Sequence, residues 1–167
     1  MKQIRKILSL LLVCAILAVG TVVPAAAVET DRTGWTAIST PAELAAIKND
    51  LSGSYYLTAD IDMSGVKWTP IGFYAYAPFK GQFDGNGHTI SNLTVSNSTA
   101  GQNAAFVGVG LFGVCSGAMI ENLYVLDASV TNTATSYVAT GIITGICYNT
   151  TISNCVGVEP IRVCCFS

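Results

Sequence analysis

The sequence predicts an all-β chain built as a right-handed parallel β-helix, with one short helix closing its N-terminal end. Three observations predict it. The segment Ile90-Ser-Asn-Leu-Thr-Val95 returns as Ile120-Glu-Asn-Leu-Tyr-Val125, and more loosely as Ile152-Ser-Asn-Cys-Val-Gly-Val158. The first spacing is 30 positions and the second 32, a period that signals stacked coils. A second landmark travels with the first: Val109-Gly-Leu-Phe-Gly113 is matched by Gly141-Ile-Ile-Thr-Gly145, and Gly113 precedes Ile120 by seven as Gly145 precedes Ile152. One such repeat cannot bury its apolar face alone. Stacking places the Ile, Leu and Val of one coil on those of the next, at the ~4.8 Å spacing of neighbouring strands.

Residues 1–27 read as a secretory signal peptide. Lys2, Arg5 and Lys6 supply the charged start, Ile7–Val19 the apolar run, and Pro24 with Ala25–Ala27 the small-residue cleavage site. The run is shorter than the ~20 residues a spanning helix needs. Cys14 follows Val13 rather than a small residue, which argues against lipid attachment there. Removing the leader takes three of the eight basic residues and leaves five against ten acidic ones. That acidic, patch-free chain is a poor partner for nucleic acid, and no later stretch is long and apolar enough to span a membrane.

Residues 28–53 are expected to form a first strand, Trp35–Ile38, and a capping helix. Thr40-Pro-Ala-Glu43 places Thr at the N-cap, Pro at the first helical position and Glu three residues on. Leu44, Ile47 and Leu51 then recur on one helical face, and Ser52-Gly53 ends the element. Residues 54–167 are the rungs, with the last incomplete. Ser54–Thr58 is a β-run, and Asp60 and Asp62 flank Ile61 so that they point outward while Ile61 points in. Trp68–Pro78 is expected to be a loop folded over the first rungs. Asp84-Gly-Asn-Gly87 is a turn, with Gly85 and Gly87 supplying positive φ. In register, Asn92, Asn122 and Asn154 form one ladder of hydrogen-bonded amides. The bare last rung predicts a chain truncated at its C-terminus, poorly ordered from about Thr150 and self-associating through that end.

These motifs carry a family resemblance. Phe83-Asp-Gly-Asn-Gly-His-Thr-Ile-Ser-Asn-Leu93 resembles the opening rungs of the pectate-lyase-like class of parallel β-helices. Gly110–Gly113 followed by Ile120–Leu123 is similar to the GLUG-type repeat of secreted bacterial surface proteins, a repeat also found upstream of the catalytic part of immunoglobulin A-cleaving zinc peptidases. It departs in the last repeat, where Thr144 interrupts the glycine-bounded strand and Cys155 replaces Leu. The resemblance implies a secreted or cell-surface location.

The chemistry on offer is sparse. His88 is the sole histidine, so a HExxH zinc motif is excluded, and no catalytic residue, metal site or cofactor is expected. Asp60, Asp62, Asp84 and Asn86 are oxygen donors without a calcium-loop pattern, and the acids read as solvated turn residues. Five cysteines follow the leader: Cys115, Cys147, Cys155, Cys164 and Cys165. Their number is odd, and their spacing does not suit zinc. Trp68, Phe73, Tyr74 and Tyr76 are the candidate ligand platform, for glycans or host surface proteins; the alternative is that they pack as a lid. The favoured function is a non-enzymatic adhesin-like or stalk module of a larger surface protein. A carbohydrate-active β-helix enzyme and the non-catalytic front of a secreted metallopeptidase are the alternatives.

Overall fold

The structure is a computed structural model that describes residues 31–98, 106–135 and 137–158. The chain divides into two units, Met1–Arg32 and Thr33–Ser167, and the second is described below. The expected signal peptide lies outside the described residues. Among those residues no helix is long and apolar enough to cross a membrane.

The second unit is a parallel β-solenoid of about three turns with one short helix near its N-terminal end. Strand β1 (Thr36–Ile38) leads into α1 (Pro41–Ala46) and a 3-10 turn, Ile47–Asn49. The expected capping box is present: Thr40 accepts from the Glu43 backbone N–H at 3.2 Å, and Glu43 returns a carboxylate to the Thr40 N–H at 3.1 Å. Leu44 and Ile47 are fully buried in the core cluster.

The strands that follow stack in register. The first sheet orders β1, β2 (Ser54–Leu57), β4 (Gln82–Asp84), β9 (Met119–Glu121) and β14 (Thr151–Ser153). The second orders β3 (Ile61–Asp62), β5 (Thr89–Ser91), β10 (Tyr124–Leu126) and β15 (Val156–Gly157). Three two-stranded sheets complete each turn: β6 (Thr94–Asn97) with β11 (Ser129–Asn132), β7 (Val107–Val109) with β12 (Val138–Thr140), and β8 (Phe112–Ser116) with β13 (Thr144–Tyr148). Every strand pair is parallel. In the first turn, residues 71–79 take the place of strands beneath β7 and β8, with bridges Ile71–Phe112, Tyr74–Val107 and Phe79–Cys115. The fourth turn, expected to lose its order from Thr150, continues the first two sheets through β14 and β15.

The core runs along the axis. Phe79 and Phe83 flank Phe112 with ring centroids 5.0 and 5.3 Å from it. Such aromatic pairs contribute ~0.5–1.5 kcal/mol beyond their burial. Ile61, Ile90 and Val125 form one inward column, and Phe83, Ile120 and Ile152 form another.

Those columns correct the expected register. Ile90 stacks on Val125, not on Ile120, which stacks on Phe83. The recurring I-x-N-L-x-V pattern describes a corner rather than a turn. Two strands meet through two residues: the first has positive φ and points outward, and the second is apolar and points in. Asn92-Leu93 and Asp127-Ala128 serve the corner between the second and third sheets; Asn122-Leu123 and Asn154-Cys155 serve the corner between the first and second. The outward four have φ of 57°, 52°, 52° and 50°. Asn and Asp tolerate that region best among residues with a side chain.

The glycine-bounded strands have a steric origin. Gly113 passes against the backbones of Gly72, Phe73 and Gly108: a Cβ there would sit 2.7–2.8 Å from their atoms. Gly145 repeats the arrangement one turn on, with a Cβ meeting Ala139 O and Val109 N at 2.6 Å. The β7–β12 and β8–β13 sheets thus approach backbone to backbone.

Candidate functional site

Two sets of side chains merit attention, the polar corners and an aromatic edge. At the first corner Asp84 is 3% exposed, so it is not the solvated turn residue expected. Its Oδ1 accepts from the Asn86 N–H at 2.7 Å and from Asn122 Nδ2 at 3.0 Å. Asn122 Oδ1 in turn accepts from Asn154 Nδ2 at 2.8 Å. The ladder therefore runs Asp84, Asn122, Asn154. Asn92 belongs to the next corner, where its Nδ2 donates to Asp62 Oδ1 at 2.8 Å. The expected three-asparagine ladder is corrected at Asn92, because the corner motif recurs twice within one turn. A second amide pair, missed from sequence, joins Asn97 Nδ2 to Asn132 Oδ1 at 2.9 Å.

The turn at Asp84–Gly87 is longer than its counterparts. Asn86 takes φ 53° and Gly87 φ 77°, whereas Gly85 is required for space: its Cβ would clash with Asn122 and Leu123 backbone. Asn86 Nδ2 donates to Leu57 O at 3.1 Å, and the Gly87 N–H to Asn122 O at 2.9 Å.

Asp60 lies on the same side. Its Oδ1 accepts from the Thr89 N–H at 2.9 Å and sits 3.2 Å from His88 Nδ1. The Thr89 hydrogen bond, then that of His88, holds the Asp60 carboxyl below its ordinary value. Asp62 is lowered by Asn92 first and by Ser64 second, which donates both its N–H and its hydroxyl. Each of the three acids thus accepts from a backbone N–H or a side-chain amide one turn further on. Among the described residues no three His, Cys, Asp or Glu side chains gather in a way that could hold a metal.

The expected aromatic platform is split by the fold. Trp68 is 5% exposed, and its Nε1 donates to Leu111 O at 3.0 Å, so it belongs to the interior. Its ring is large and apolar, and the Leu111 carbonyl satisfies its one donor. Phe73 and Tyr74 are half-buried and meet edge to face at 4.8 Å. Tyr76 is 73% exposed and stacks on Tyr74 at 4.9 Å with 11° between the planes. The backbone carries this strip onward. Ala75 N–H donates to Phe106 O at 2.9 Å, and Val107 N–H to Tyr137 O at 2.8 Å. Phe106 and Tyr137 contact edge to face at 5.5 Å. Phe106, Tyr137, Val138, Ala139, Ile146 and Tyr148, with Cys147, line a groove of about 410 Å³. Sequence reading missed Phe106, Tyr137 and Tyr148. Their signal was the repeat itself, since Phe106-Val107 and Tyr137-Val138 are 31 residues apart and stack.

The geometry can be set beside known proteins. No family model matches the chain. Halomucin of Haloquadratum walsbyi is 40% identical over 109 aligned residues, which span 56% of this chain and 1% of Halomucin. A crystal structure of "a putative immunoglobulin A1 protease" from Bacteroides ovatus superposes with a TM-score of 0.57, at 20% identity, over 77% of this chain and 48% of that one. The solenoid fold is shared. The chain spans about one hundredth of Halomucin and about half of the solved structure, so it corresponds to a part of each.

Proposed function

We propose that this chain is a non-enzymatic β-helix module of a secreted or cell-surface protein, an adhesin-like or stalk segment that holds a rigid edge away from its attachment. The observation that carries the reading is the commitment of its acids. Asp60 accepts from the Thr89 N–H, Asp62 from Asn92 Nδ2 and Asp84 from Asn122 Nδ2, and these three bonds tie one turn to the next. A glycosidase or lyase needs its acids aimed at substrate across a groove. The likeness to Halomucin, of which this chain matches a small part, supports a repeated module within a much larger protein.

Contacts with glycans or with a host surface protein would run along the aromatic edge, where Tyr76, Phe106, Tyr137 and Tyr148 offer ring faces and phenol hydroxyls. Such rings match partners with one apolar face and polar rims. The test is direct. The purified chain is incubated with acidic and neutral polysaccharides and with casein, following unsaturated product, reducing ends and new amines. None is expected to be released. Turnover that disappears in Asp60→Asn or Asp84→Asn would replace this reading with the enzymatic one.

A further inference from the structure

Cys115 and Cys147 are register partners on parallel strands. β8 and β13 pair through Val114–Ile146, Cys115–Cys147 and Ser116–Tyr148, so both flanks hold the alignment. Neighbouring strands lie ~4.8 Å apart, inside the ~4.4–6.8 Å Cα separation that a disulfide spans. Register partners in a parallel pair project to the same face. The Thr144 hydroxyl of β13 donates to Cys115 Sγ at 3.6 Å. Cys115 is fully buried and Cys147 half-buried, since among the described residues no strand covers β13. Cys155 is engaged elsewhere: its Sγ reaches Ser153 O at 3.2 Å and Ile120 O at 3.7 Å.

We propose that Cys115 and Cys147 are a modification site, oxidised by an external disulfide to a covalent link between the second and third turns. The order of events follows from exposure. The Cys147 thiolate attacks the external disulfide RSSR, forming Cys147–S–S–R and releasing RS⁻. The Cys115 thiol then loses its proton, attacks Cys147 Sγ and displaces the second RS⁻. Two protein thiols lose two electrons and two protons, and one external disulfide becomes two thiols. Burial pushes the Cys115 thiol up to about 12, so the second step is slow at neutral pH and quickens as the pH rises. The link closes a loop of one full turn and fixes the β13 strand that lines the groove. It depends on register and an oxidant, not on the functional reading above.

The test uses the full chain. It is incubated with oxidised glutathione at about pH 8, quenched in acid, alkylated under denaturing conditions and digested without reduction. Mass spectrometry should find the Cys115 peptide joined to the Cys147 peptide. The unfolding midpoint should rise by roughly 10 °C over the reduced protein, the size expected for closing such a loop in a domain of this length. Cys147→Ser alters a half-exposed position and should fold, and it should lose that rise. Recovery of Cys115 as an alkylated thiol after exhaustive oxidation would overturn the proposal. So would Cys147 bonded to Cys155, Cys164, Cys165 or glutathione in place of Cys115.

Discussion

Removing the middle of the corner ladder is the sharpest test of what holds the turns together. In Asn122→Ala, Asp84 loses a donor at 3.0 Å and Asn154 loses its acceptor at 2.8 Å. Each net hydrogen bond is worth ~0.5–1.5 kcal/mol, and that to Asp84 sits at the upper end because the carboxyl is buried. Position 122 also has φ 52°, where an alanine Cβ costs about 1 kcal/mol that asparagine largely escapes. The sum is about 2–4 kcal/mol. With a urea slope of about 1–3 kcal/mol/M, the midpoint should fall by roughly 1–2 M. Asn122→Gly separates the terms, since it loses the amide bonds but keeps the backbone conformation, and should fall between the wild type and the alanine variant. Asn92→Ala, whose amide bonds the exposed Asp62, should cost less. A midpoint for Asn122→Ala equal to wild type, or a larger loss at Asn92, would refute the argument.

Gly113→Ala drives a methyl into the backbones of Gly72, Phe73 and Gly108, and should cost more than about 3 kcal/mol or prevent folding, read as loss of the cooperative urea transition. Thr40→Ala removes half of the capping box and should lower stability by about 1 kcal/mol, with Thr40→Ser restoring most of it in the same assay. Glu43, Asp60 and Asp62 all have carboxyls held below their ordinary values by hydrogen bonds. The unfolded chain therefore binds more protons in the acid range, and stability rises with pH there. Their contribution is complete above their ordinary values near 4 and fades as the pH falls through the lower folded values. Melting followed from about pH 7 to pH 2 should show the decline setting in below about 4, and Asp60→Asn with Asp62→Asn should flatten it.

Much of the architecture was legible in the sequence, because its causes are local. The capping box at Thr40–Glu43 is written in four consecutive residues. The 32-residue offset between Gly113 and Gly145 survives in the structure, since backbone contact admits no side chain at either position. The register of Ile90 was not legible, for a physical reason. A two-residue corner asks the same thing of the chain wherever it occurs: an outward residue that accepts positive φ, then an inward apolar one. Successive corners within a turn therefore imitate successive turns. The aromatic edge was legible only in part, on a different ground. Trp68, Phe73, Tyr74 and Tyr76 are close in sequence, but composition does not tell which ring enters the core. Phe106, Tyr137 and Tyr148 are distant in sequence and become neighbours only when turns stack.

The Asn86-Gly87 pair has a consequence for chemical ageing. Asparagine before glycine is the dipeptide most open to deamidation, because the glycine nitrogen can attack the asparagine side-chain carbonyl and close a succinimide. In the folded chain both partners are occupied: the Gly87 N–H is donated to Asn122 O, and Asn86 Nδ2 is held on Leu57 O, a residue of the preceding turn. Ring closure must wait until the turns on both sides let go. Conversion of Asn86 to aspartate in stored protein thus serves as a slow clock, counting the moments when the solenoid parts at that corner.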